Sequence, residues 1–185
     1  MKPIGEEKIV YQGKIVEVVQ QQFQAGDEAK TFEWARRAPG TRLIIISPAK
    51  KILITKEYRK ETENWDYRLP GGKVFDSLAQ YNDFLKSNRP MLAAAQEAAK
   101  KEAREEVGVE TQSMQHVATS KCGSTMEWDL YYFLIDRYVE LGKQHLEAGE
   151  DIEVGWYGFE QARDLCLNGK IQEDRSVAVL LKWLK

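Results

Sequence analysis

The chain has 185 residues, 43% hydrophobic and 30% charged, enough apolar material for one soluble domain with a small appendage. Its formal net charge of -2 gives no global basic field to draw in nucleic acid. No apolar run approaches a membrane span, and the opening MKPIGEEKIV lacks the apolar stretch of a signal peptide. Cys122 and Cys166 are far apart, with no CxxC spacing for zinc or redox chemistry. A cytoplasmic protein is expected.

In chain order, residues 8–23 are β-branched and partly alternating, with a break at Gly13. The turn signal Ala25-Gly26-Asp27 and a returning strand at 31–36 complete a hairpin signature. Residues 42–47 and 52–59 are expected as strands around the turn Pro48-Ala49-Lys50-Lys51, the first apolar enough to be buried on both faces. The stretch 74–89 has no clean period and admits a short helix from Asp76. A helix over 90–107 is well bounded, with Ser87 or Asn88 as cap, Pro90 near its first position and Gly108 just past its end. Late strands at 126–139 and 151–159 and helices at 159–168 and 174–184 follow. Trp183 with Leu180, Leu181 and Leu184 gives the last helix a docking face, and Trp128, Tyr131 and Phe133 are expected in strand packing. Strands outnumber helices and do not alternate with them. This predicts an α+β fold with a mixed sheet between helices.

On the 90–107 helix, Glu102, Glu105 and Glu106 stand at i, i+3 and i+4 and share one side. Like charges so placed repel by roughly a few tenths of a kcal/mol per pair. Lys100, Lys101 and Arg104 lie close in sequence, so a solvated face with ion pairs is the plain alternative. The upstream run Leu69-Pro70-Gly71-Gly72-Lys73 shifts the balance. Adjacent glycines bring backbone amides and carbonyls close to a ligand. Three carboxylates and a carbonyl form a hard oxygen set suited to Mg²⁺ or Mn²⁺, above all where a substrate phosphate completes the shell. Such ions neutralise and orient a pyrophosphate and activate water. The loop Glu147-Ala148-Gly149-Glu150-Asp151 offers a second acidic source, free to take a proton where the helix carboxylates hold metal.

Gly72, followed by Lys101-Glu102-Ala103-Arg104-Glu105-Glu106-Val107-Gly108-Val109, resembles the Nudix box. The flanking segments, Thr55 to Arg59, Glu147 to Asp151, Gly169 to Ile171 and Ser176 to Ala178, are similar to the ADP-ribose pyrophosphatase branch of that family. The resemblance implies an α/β/α sandwich over 37–185 and an N-terminal hairpin over 1–36 that swaps across a homodimer. It implies Mg²⁺-dependent cleavage of a nucleoside diphosphate sugar, ADP-ribose or similar, to a nucleoside monophosphate and a sugar phosphate. Glu102, Glu106 and the Gly71 carbonyl become the expected metal ligands, with Glu105 a ligand or water-orienting group. Arg59, and less directly Arg36 and Arg42, become phosphate contacts. Phe32 or Trp34 stacks on a base, or packs in core or dimer. Glu150 is the expected general base and Glu147 its alternative. His116 and His145 are expected as surface residues.

Three departures from the family pattern stand out. The spacing from Gly72 to the helix is longer than usual, Lys101 replaces the box arginine, and Ala93 replaces the glutamate that pairs with it. Arg68 also stands where the branch often has glutamate. Two rival functions are a hydrolase of nucleoside triphosphates or dinucleoside polyphosphates, and a module that binds nucleoside diphosphate sugars without cleaving them. The long N-terminal extension speaks against the first, and the retained Glu102, Glu105 and Glu106 against the second.

Overall fold

A computed structural model describes residues 1–59, 63–146 and 151–184. The chain opens with three antiparallel strands, β1 (Lys2–Gln12), β2 (Glu17–Ala25) and β3 (Glu28–Arg36). The extension is therefore a three-stranded sheet and not the two-stranded hairpin expected from 8–23 and 31–36. The break at Gly13 is a chain reversal, closed by its N–H donating to the Val16 carbonyl at 2.9 Å. The first half of β1, before residue 8, was not expected, because the strand is exposed along its whole length and no buried face imposes alternation.

Three central strands carry the core. They are β4 (Gly40–Ile45), β5 (Lys51–Arg59) and, after a long excursion, β9 (Leu130–Glu140). Strand β4 is buried at all six positions, as expected for a strand covered on both faces. Alternation sorts the side chains into two layers. Leu43, Leu53, Phe133 and Ile135 pack on Ala95, Ala99 and Ala103. Ile44, Ile52, Ile54, Leu130 and Tyr132 pack on Ala162, Cys166 and Leu180. Helix α2 (Met91–Glu102) thus covers one face, and α3 (Phe159–Leu167) with α4 (Asp174–Trp183) covers the other. Ala95 and Ala99 of α2, with Ala103 just after it, let the helix approach the strands closely.

Pairing is mixed. Strand β4 runs parallel to β9, and β7 (Val109–Ser120) antiparallel to β9. Strand β5 lies between β6 (Asn64–Arg68) and β10 (Ile152–Gly158), antiparallel to both. Strands β6 and β7 were not expected. Strand β6 is short and polar, and β7 carries register shifts that erase a clean period. The strand expected over 126–139 is two: β8 (Met126–Glu127) pairs parallel with β3, and Trp128-Asp129 separate it from β9. Among the described residues no helix is long and apolar enough to cross a membrane.

The stretch 74–89 contains α1 (Leu78–Leu85), capped by the Ser77 hydroxyl accepting from Gln80 N–H at 3.2 Å. Its Tyr81 hydroxyl donates to Glu127 at 2.9 Å and its Asn82 amide to the fully buried Glu17 at 3.0 Å. Phe75 stacks on Tyr81 and tilts against Phe84, with ring centroids 5.5 and 5.0 Å apart. The insertion thereby ties the N-terminal sheet, the glycine loop and β8 together. Neither Ser87 nor Asn88 caps α2: the Ser87 hydroxyl donates to the Phe84 carbonyl, Asn88 takes a left-handed conformation, and Pro90 is the capping residue, without a side-chain bond.

Candidate active site

The helix expected to reach residue 107 changes character at Glu102. Ala103–Val107 form a π-helical turn, stopped by Gly108 in the left-handed region, whose N–H donates to the Arg104 carbonyl at 3.1 Å. Such wide turns leave carbonyls unevenly paired and recur at functional sites. Here the following segment takes up the slack. His145 N–H donates to the Glu105 carbonyl at 2.8 Å, and the Gln144 amide donates to the Glu106 carbonyl at 2.6 Å. Glu105 and Glu106 are thus held at the main chain by the described stem of the acidic loop.

The glycine loop lies against these carboxylates. It is strapped to β4 by Thr41 N–H donating to the Gly72 carbonyl and Leu43 N–H to the Pro70 carbonyl, both at 2.8 Å. Gly71 has φ 137°, and a Cβ there would stand 2.3 Å from the Thr41 carbonyl oxygen, so only glycine fits. Its N–H donates to Glu106 Oε2 at 2.6 Å. Gly72 leaves the space into which the Glu102 carboxylate fits.

These groups line a cleft of about 170 Å³. Glu102, Glu105 and Glu106 line it together with Gly71 and Gly72 and with Glu57, Arg59 and Arg68 from the ends of β5 and β6. Lys73, Asp76 and Lys101 also line it. Arg59 reaches Glu57 at 2.6 Å, Arg68 pairs with Asp66, and Lys101 lies 3.5 Å from Glu105. The Lys101 ammonium is held above its ordinary range, first by the charge of Glu105. Carboxylates and cationic side chains thus line one small cleft, a set that suits a polyanion bound together with cations.

Five of the residues singled out from sequence meet here: Glu102, Glu105, Glu106, Gly71 and Arg59. Others lie elsewhere. Arg36 is only 7% exposed and is engaged by Glu7, Glu17 and Glu127 within the N-terminal sheet and β8, so its charge is already matched away from the cleft. Its guanidinium pKa rises despite burial, which opposes the charge, because it donates hydrogen bonds to the Glu7 and Glu127 carboxylates. Arg42 is buried beneath the loop, bidentate on Glu173 at 2.7 and 2.8 Å. Phe32 packs edge-on against Phe23 at 5.3 Å, and Trp34 donates to Glu127 at 3.2 Å, both on β3 outside the cleft lining. His116 and His145 are exposed. Glu147 and Glu150 lie outside the described residues.

Sequence reasoning gave no role to Glu57, Asp76 or Arg68. The first was within reach, because period-two alternation puts it on the same face of β5 as Arg59. Asp76 sits in the aperiodic insertion, where no pattern points to it.

Among the described residues no three side chains of His, Cys, Asp or Glu form a ready-made metal group. Instead, Glu106 accepts from the Gly71 amide and Glu105 faces Lys101. The donor set still fits a hard divalent cation: it is all oxygen, and the space over Gly72 is kept open for a carboxylate.

Fold and site place the chain in the Nudix class. The chain belongs to the Nudix family, since the NUDIX domain matches residues 36–180. Hydrolases of this family generally use a divalent metal. The chain is 25% identical over 135 residues to a CMP-5'-(N-acetyl-N-hydroxy-3-aminopropyl)phosphonate hydrolase of Streptomyces rubellomurinus (strain ATCC 31215), the match covering 72% of this chain and 58% of that protein. It thus spans little more than half of that relative's length. A solved ADP compounds hydrolase superposes with a TM-score of 0.70 over 100% of this chain and 95% of its own, at 16% identity, a likeness of fold.

Proposed function

We propose that the chain hydrolyses the pyrophosphate of a nucleoside diphosphate joined to a second group, a sugar in the first instance, with Mg²⁺ as its metal. The carrying observation is that Glu102, Glu105 and Glu106 line one cleft with Arg59, Arg68 and the glycine loop. Glu102, Glu105 and Glu106 would hold the cation, which when bound neutralises phosphate charge and lowers the pKa of water. Arg59 and Arg68 orient the phosphates, and their planar forks suit phosphate oxygens. Gly71 and Gly72 let the backbone approach the substrate without steric cost. Catalysis on this reading is positioning plus electrostatic stabilisation.

Glu150 is our candidate for the general base, with Glu147 as the alternative. Its support is the stem of that loop: Gln144 and His145 anchor on the carbonyls of Glu106 and Glu105, so the loop sets out from beside the cleft. We further infer a homodimer formed through residues 1–36. In the described chain β1 is an edge strand exposed along its whole length, and Ile9, Val10, Tyr11 and Phe32 remain at least 41% exposed. Long exposed edges of this kind invite pairing with another chain.

The test is chromatographic separation of the products formed, without any coupling enzyme, from a panel given with Mg²⁺. The panel holds ADP-ribose, other nucleoside diphosphate sugars, a CMP-linked phosphonate like that in the Streptomyces relative's name, nucleoside triphosphates and dinucleoside polyphosphates. Turnover concentrated on the diphosphate sugars supports the reading. Turnover concentrated on triphosphates, or binding with no turnover anywhere, overturns it.

A further inference from the structure

The acidic cleft continues past the glycine loop. Lys73 and Asp76 line it and also line a second depression of about 140 Å³ beyond. Its other walls include Lys14 from the turn between β1 and β2, Arg37 just after β3, and Phe75 and Ser77 from the insertion. The depression therefore exists only because the N-terminal sheet and the insertion meet there.

Its charge is unbalanced. Lys14, Arg37 and Lys73 share the lining with Asp76, three cations to one carboxylate among the described lining residues. Among the described residues none of these three cations forms an ion pair with a carboxylate. Arg37 is also fixed in place. Its guanidinium lies 4.4 Å over the Trp128 ring, against which Arg175 also packs, at 4.1 Å. Burial, with Arg42 and Arg175 nearby, disfavours its charged form. A net-acidic chain that gathers three cations around a hollow beside its cleft concentrates positive potential there, which suits an anion. At about 140 Å³ the hollow is well short of the roughly 300–1,000 Å³ of a pocket for a whole drug-sized ligand. It suits one small charged group at the end of a larger molecule.

We propose that this depression is a subsite for a second anionic group of the substrate, a carboxylate or phosphate on the moiety beyond the pyrophosphate. The proposal rests on the pyrophosphatase reading and refines its substrate class: nucleoside diphosphates of acidic or phosphorylated sugars, ahead of neutral ones. Lys14 and Arg37 hold the anion, and the insertion supplies the wall.

The test compares matched substrates that differ only in that group. UDP-glucuronate and UDP-glucose vary the sugar half, and 2'-phospho-ADP-ribose and ADP-ribose vary the nucleoside half. Wild type should favour UDP-glucuronate by at least about tenfold in kcat/KM, the ratio that roughly 1.4 kcal/mol of charge-assisted contact supplies. Lys14→Gln with Arg37→Gln should bring that ratio close to one and leave UDP-glucose turnover near wild type. Lys14→Gln alone, on an exposed turn, keeps the test if loss of Arg37 from the Trp128 ring prevents folding. A wild-type ratio near one, or a ratio the variants do not change, overturns the subsite. A preference seen only in the ADP-ribose pair overturns its placement on the sugar half. Calorimetric titration of UDP-glucuronate and UDP-glucose separates this proposal from the hydrolytic one. If neither is hydrolysed but the binding preference appears and is lost in the variants, the subsite stands and the pyrophosphatase reading falls. Equal binding overturns the subsite.

Discussion

The Glu102 carboxylate occupies the space a side chain at Gly72 would need: a Cβ built on Gly72 lies 2.0 Å from Glu102 Oε1 and 2.6 Å from its carboxyl carbon. The obstructing atoms are the end of a flexible side chain, so an alanine there would displace the carboxylate without breaking the loop. Gly72→Ala is expected to cut kcat by about 10² or more, the scale of losing one well-placed electrostatic group. The melting temperature should hardly move. Turnover near wild type would show that the position of Glu102 does not matter.

Glu106 accepts the Gly71 N–H and sits in the acidic stripe. Glu106→Gln keeps an acceptor for that N–H and removes one charge from a repelling set. The variant is expected to fold, to match or slightly exceed wild type in a thermal melt with chelator, and to lose several orders of magnitude in kcat. Near-normal kcat in Mg²⁺ would remove Glu106 from the metal-binding set.

The two loop glutamates separate by the same substitution. Glu150→Gln is expected to lower kcat by about 10² to 10⁴, the usual worth of a positioned base. Metal affinity should change far less than in Glu106→Gln. A large loss in Glu147→Gln with none in Glu150→Gln would hand the role to Glu147.

Arg42 and Glu173 give a pH dependence. Burial alone would raise the Glu173 carboxyl, but the Arg42 hydrogen bonds and charge bring it below the usual carboxylate range. A carboxylate whose folded pKa is depressed stabilises the protein fully above its unfolded pKa. That contribution disappears as pH falls through the ordinary carboxylate range towards the folded value. Glu173→Gln should therefore flatten the acid limb of the melting-temperature profile. At neutral pH it should cost about 3 kcal/mol, because it leaves the buried Arg42 unneutralised. An unchanged acid limb would mean that other carboxylates set it.

Tyr81→Phe tests the insertion as a brace. The change removes the bond to Glu127 and keeps the ring packing on Phe75. A hydrogen bond to a charged group is worth about 1.5–3 kcal/mol, and each kcal/mol moves the melting temperature of a chain this size by roughly 2–4 °C. A drop of several degrees with kcat on a neutral diphosphate sugar unchanged is expected. No drop would show that the aromatic packing alone holds α1.

The sequence by itself determined the family and named residues that line the cleft. Glu102, Glu105 and Glu106 follow from helical spacing, Gly71 and Gly72 from the need for backbone close to a ligand, and the buried run at β4 from its unbroken apolarity. These signals are local: each lies within a turn or two of chain, where periodicity can be read directly. Arg59 came with them through resemblance, and Glu57 could have followed from strand alternation. Tertiary structure alone decided the rest. It took Arg36 and Arg42 out of the candidate phosphate set by burying both and giving them carboxylate partners, Glu7, Glu17 and Glu127 for the one and Glu173 for the other. It made the extension three strands, because an exposed edge strand imposes no pattern on its residues. And it set Lys14, Arg37 and Lys73 around one hollow, although separate segments carry them. Charge converging from distant segments leaves no periodic trace in sequence, because the pairing of sheet and insertion, and not their spacing along the chain, brings it together.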